Sequence, residues 1–163
     1  MKNLTLFISV VIILVFTGCS SFMPSTPEFR EAYKVQGEVH SLGHYYHDGA
    51  ETSQVGKVLE GKRFYYKDSG VYAQTVADLL VYNGASKDDI YFVIVDIPVR
   101  GFAWEKIEGS WQRSTSSQHL VVEHKGYIID NQLNAVLSVD DFTRSRSLVS
   151  KQRMSEPGLW KDL

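Results

Sequence analysis

The chain has 163 residues, 44% of them hydrophobic and 22% charged, which allows one ordinary core and is too apolar for a disordered chain. Seventeen Lys and Arg stand against nineteen Asp and Glu, so a formal net charge of −2 offers no basic field to draw nucleic acid. One Cys excludes an intramolecular disulfide framework and a Cys-cluster zinc site.

The amino terminus opens with Met1-Lys2-Asn3, and Leu6 to Phe16 is apolar except for Ser9. Eleven residues make roughly 16 Å of helix, too short for a hydrocarbon core of about 30 Å. A short apolar run behind a positive start reads as a secretory signal peptide. The run ends in Phe16-Thr17-Gly18-Cys19, which resembles a bacterial lipobox. The resemblance implies cleavage after residue 18 and acylation of Cys19 with palmitate-type chains. Ser20, rather than Asp, follows the Cys and directs the expectation to the outer membrane, facing the periplasm. An uncleaved anchor with an incidental Cys is the alternative. The expected organisation is a signal peptide over 1–18, a lipidated Cys and polar tether over 19–27, and one domain over 28–163.

Within that domain, Pro27-Glu28 with Phe29, Ala32 and Tyr33 predicts a brief helix stopped by Gly37. His40 to Gly49 reads as a loop, and Glu51 to Leu59 as a weak helix. Asp68-Ser69 precedes a stronger helix, with Tyr72, Val76, Leu79, Leu80 and Asn83 at helical spacing and Asn83-Gly84 as its cap. Ile90 to Ile97 is β-branched and aromatic, a central strand. Pro98 to Ser117 reads as a long polar connection. His119 to His124, Lys125-Gly126 and Tyr127 to Asp130 read as a β-hairpin, and Ser138 to Asp141 as a capping box. Helix first and antiparallel strands afterwards make an α+β domain.

If Lys125-Gly126 is a two-residue turn, opposed residues sum to 251 and Val121 faces Asp130. Side chains alternate with period two, so His119 shares a face with Asp130 as its diagonal neighbour. A carboxylate beside an imidazole fixes its tautomer and supports its charged form, which is half of a nucleophilic triad. A surface hydrogen bond without chemistry is the plainer alternative.

The segment His119-Leu-Val-Val with Gly126-Tyr-Ile-Ile-Asp130-Asn131 resembles the His-to-Asp hairpin of bacterial transglutaminase-like cysteine peptidases, which share the papain-like fold. Family members carry G-D-C-x-D-Y-A at a helix start, with Cys as nucleophile; this chain has Lys67-Asp68-Ser69-Gly70-Val71-Tyr72-Ala73. The resemblance covers about Lys67 to Phe142. It implies a papain-like, transglutaminase-like core with a helix packed on an antiparallel sheet, and Ser69, His119 and Asp130 at the catalytic positions. Ser69 replaces the Cys, and Gly70 and Val71 replace acidic residues that bind calcium in some members. A thiol ionises readily at a helix amino terminus beside a His, whereas a hydroxyl must lose its proton during attack. The expected function is therefore an envelope lipoprotein whose degenerate domain binds or assembles with an envelope protein, without a cofactor. The alternative is a serine hydrolase, a peptidase or amidase, using Ser69, His119 and Asp130. Ser69 as a plain helix cap is the blandest account of that residue.

Three further constellations carry weaker expectations. His40, His44 and His47 with Asp48 contain metal-ligand chemistry, set aside because His-rich turns mostly hold solvated or stacked rings. Phe102, Trp104 and Trp111 with Arg100 and Arg113 form a candidate sugar- or peptide-binding lip, or simply pin the connection to the core. Arg144, Arg146, Lys151 and Arg153 read as a basic strip whose default is a solvated face.

Overall fold

A computed structural model describes residues 26–107 and 110–156, with side chains outside 97–117. The elements in chain order are α1 (Pro27–Leu42), β1 (Gly43–Ala50), α2 (Val55–Leu59), β2 (Phe64–Tyr66) and α3 (Ser69–Tyr82). A 3₁₀ turn (Lys87–Asp89) leads to β3 (Ile90–Ile107), β4 (Ser110–His124), β5 (Tyr127–Ile129), β6 (Leu137–Ser138), α4 (Val139–Thr143) and β7 (Ser147–Arg153). Five strands form an antiparallel sheet in the order β6-β5-β4-β3-β7, while β1 and β2 pair in parallel beside it. The architecture is α+β, as the order of helical and strand periods predicts. No helix among the described residues is long and apolar enough to cross a membrane.

The sheet separates two apolar clusters. Phe92, Leu120, Val122 and Ile129 pack with Val35 and Val39 of α1 and Val76, Leu79 and Leu80 of α3. Val93, Val95, Val121 and Ile128 pack with Phe142 of α4. Alternate residues of β3 and β4 thus serve opposite layers, the period-two consequence of a pleated strand covered on both faces. The β4–β5 register pairs Val122 with Ile129, Glu123 with Ile128 and His124 with Tyr127, the register that a two-residue turn requires. Lys125 (φ 49°) and Gly126 (φ 84°) both take positive φ, the geometry of the turn type that matches strand twist.

Three sequence expectations need correction. Gly37 does not stop α1, which runs on to Leu42. An interior Gly costs up to about 1 kcal/mol, while burial of Val35 and Val39 around it contributes about 1.5–3 kcal/mol each and prevails. His40 to Gly49 is not a loop: it holds the end of α1 and strand β1, whose exposed side chains leave no hydrophobic alternation to read. Pro98 to Ser117 is not an unstructured connection. Beyond Asp96, β3 and β4 continue as a two-stranded ribbon, with Trp104 paired to Arg113 and Lys106 to Trp111. Among the described residues neither β5 nor β7 reaches that far. Main-chain pairing runs on through a stretch whose polar composition conceals it. The weak helix expected over Glu51 to Leu59 is the five-residue α2.

Candidate active site

The site forms where α3 begins against β4. Asp68 caps α3, its Oδ1 accepting the Val71 N–H at 2.9 Å. Asp-Ser at a helix start, followed by a mostly buried and largely apolar helix, leaves Ser69 half-buried in the first turn. The first-turn N–H groups of Ser69 and Gly70 have no acceptor within the helix, as at any helix amino terminus, and point toward incoming negative charge.

His119 and Asp130 meet as the register argument requires. His119 Nε2 lies 2.7 Å from Asp130 Oδ1, with the residues 4% and 1% exposed. An ionised carboxylate only accepts, so Nε2 carries the proton and Nδ1 is left for a reacting group. Asp130 Oδ1 also accepts the Gln132 N–H at 2.9 Å, which fixes the carboxylate at the strand end. Gln36 of α1 braces the same loop from behind, its Nε2 donating to Leu133 O at 2.6 Å and reaching Asp130 O at 3.5 Å. Tyr72, two per cent exposed and near Asp130 and Tyr66, has its hydroxyl pushed well above the ordinary phenol range, chiefly by burial. It stays neutral.

Ser69 and His119 line one cleft of ≈190 Å³ with Asp68, Gly70, Ile94, Gln118 and Leu120. Ser69 Oγ accepts the backbone N–H of Leu120 at 3.2 Å. Among the described residues no hydrogen bond joins that oxygen to His119. All three residues expected at the catalytic positions therefore gather at one place, with the His–Asp pair closed and the Ser–His pair open. Sequence reasoning missed Gln36 as a support of Asp130; it looks like an ordinary polar helix residue, and only the tertiary fold brings it there.

The other constellations disperse. Among the described residues no three His, Cys, Asp or Glu side chains form a metal-binding group. His47 pairs with Asp48 at 2.9 Å, and the His44 ring sits 5.9 Å from Tyr65. The basic strip is largely partnered: Arg144 with Asp141 at 3.0 Å, Lys151 with Glu123 at 2.7 Å, Arg153 with the Tyr91 hydroxyl at 3.0 Å, and Arg146 over the Phe142 ring. Cys19 and the side chains of Arg100, Phe102, Trp104, Trp111 and Arg113 lie outside the described ones.

No protein-family model and no curated protein matches this sequence. Among solved structures, Legionella pneumophila LapG superposes with a TM-score of 0.53 at 14% identity, over 81% of this chain and 68% of that one. That likeness shows the fold: a papain-like, transglutaminase-like core, with α3 packed on the antiparallel sheet.

Proposed function

We propose that the chain is an envelope lipoprotein whose transglutaminase-like domain binds a protein partner at the Ser69–His119 cleft and does not turn over substrate. One observation carries this reading: the hydroxyl oxygen in the nucleophile position accepts the Leu120 N–H and makes no hydrogen bond to His119. A serine needs a general base within hydrogen-bond reach, because its hydroxyl is not ionised in advance as a thiol can be. Gly70 and Val71 in place of acidic residues agree with abandoned chemistry.

A second reading, a serine peptidase or amidase, is favoured by the closed and buried His119–Asp130 pair. In that case His119 Nδ1 takes the Ser69 proton as Oγ attacks a carbonyl carbon. The N–H groups of Ser69 and Gly70 then stabilise the oxyanion, a contribution of about 2.7–4 kcal/mol per well-aimed donor. Fluorophosphonate labelling separates the two. No labelling at Ser69 supports the binding module; stoichiometric labelling, abolished in Ser69→Ala and weakened in His119→Ala, makes the protein a hydrolase.

The anchoring proposal rests on Cys19 behind the short apolar run. Acyl chains contribute about 0.8 kcal/mol per buried methylene, so a lipidated terminus holds the domain at a membrane without a polybasic patch. Mass spectrometry of membrane-extracted protein is expected to show a diacylglycerol-modified Cys19 as first residue, in the outer-membrane fraction. Normal processing of Cys19→Ala would overturn it.

A further inference from the structure

On α1, away from the Ser69 cleft, lies a second cavity of ≈200 Å³, walled by Tyr33, Gln36, Gly37, His40, Ser41 and Asn134. We propose that it is a binding site for one uncharged, polyhydroxylated ring, a pyranose unit, and that its occupancy is felt at Asp130. This goes beyond the binding-module reading and holds whether or not Ser69 reacts.

The wall sets the ligand class. It contains no carboxylate, ammonium or guanidinium, so it offers a charged ligand no counterion. It does offer amide, hydroxyl and imidazole groups, which both donate and accept, as sugar hydroxyls do. Gln36, 5% exposed, lies at the back of the wall, its Nε2 taken by Leu133 O and its Oε1 out of reach of solvent, so the ligand's polar contacts fall to His40, Ser41 and Asn134. Tyr33 adds a half-exposed ring, backed by Phe29 at 5.9 Å, as an apolar platform. The volume is below the roughly 300–1,000 Å³ of sites for larger ligands and suits a single ring. Gly37 creates the room: a Cβ built there meets nothing within 4 Å.

The coupling runs through Gln36, whose Nε2 holds Leu133 O and Asp130 O while its side chain lines the cavity. Asn134, on the same loop, also lines the cavity. A ligand held by Asn134 and packed against Gln36 therefore touches the brace that seats the carboxylate facing His119.

The test is amide NMR of the ¹⁵N-labelled full chain in detergent, titrated with N-acetylglucosamine. Saturable shifts at Gly37, His40 and Asn134 are expected, with Asp130 and Gln132 moving on the same isotherm. The affinity should be of millimolar order, as a ring of about 15 non-hydrogen atoms supports. Gly37→Leu fills the cavity from an open position and should abolish the shifts while the chain stays folded; Asn134→Ala, on an exposed loop residue, should weaken them. Chitotetraose binding at least as tightly assigns a glycan chain as the source, and the monosaccharide alone assigns a free sugar. No saturable shift, shifts that persist in Gly37→Leu, or inorganic phosphate binding in place of sugar would each overturn the site. Shifts confined to the cavity, without Asp130 and Gln132, would overturn the coupling.

Discussion

The hydroxyl of Ser69 is tied to the main chain of Leu120, the residue after His119, by a 3.2 Å hydrogen bond across a separation of fifty-one positions. The amino terminus of α3 and the His-bearing strand are thereby locked together at the cleft. A Cys sulfur in that place is a poorer acceptor, so the bond belongs to the serine version of the site.

Ser69→Ala should therefore destabilise the domain by about 1 kcal/mol, the usual net worth of one hydrogen bond, by leaving the Leu120 N–H without its acceptor. Chemical denaturation of the two proteins measures it. Unchanged stability would show that the bond is not formed in solution.

Asp130→Ala removes the acceptor of both His119 and the Gln132 N–H from a site that is 1% exposed. A loss of roughly 3 kcal/mol is expected, as for other buried pairs broken on one side. The ¹⁵N shifts of the His119 ring should also leave the Nε2-protonated pattern. Retention of that tautomer in Asp130→Ala would mean that another group orients the ring.

Two glycine substitutions should act in opposite directions. Gly37→Ala lies inside a helix with open space around its Cβ and should stabilise by about 0.5–1 kcal/mol. At Gly49 a Cβ would sit 2.5 Å from the Tyr66 carbonyl carbon and 2.8 Å from the Lys67 nitrogen. Gly49→Ala must push β1 off the segment leading into α3, for about 1–3 kcal/mol of destabilisation. Thermal melts of the pair decide the signs.

Acid stability should depend on Glu31. Burial works to raise its pKa, but hydrogen bonds and charges from His124 and Lys125 outweigh it and hold the carboxyl below its ordinary 4.5. His124 is fully buried between Glu31 Oε2 (3.1 Å) and the Asp89 carbonyl (3.2 Å). A depressed carboxyl contributes stability that is complete above pH 4.5 and is lost as pH falls through the lowered value. Glu31→Gln should be less stable at neutral pH and flatter across the acid limb, read from denaturation midpoints over a pH series.

The sequence makes some of this legible and hides the rest for definite reasons. Asp68-Ser69, the apolar face through Leu80 and the Asn83-Gly84 stop delimit α3 because local capping and periodicity act together there. The Lys125-Gly126 turn fixes the hairpin register, and with it the meeting of His119 and Asp130, because a two-residue turn leaves no slack. Strand β1 pairs through its main chain with side chains mostly exposed, and the outer ribbon pairs through a largely polar stretch, so neither writes an alternating pattern into the sequence. Gln36 reaches Asp130 only through the docking of α1, a contact of long sequence separation that no local spacing reports.

Thr26, where the described chain begins, bonds through its hydroxyl to the Tyr127 phenol at 3.1 Å, beside the turn that ends β4. The cleft opens six residues back along that strand, roughly 20 Å away at about 3.4 Å per residue. Under the lipid anchoring proposed at Cys19, a pull on the chain therefore enters at the turn end of the strand, away from the cleft.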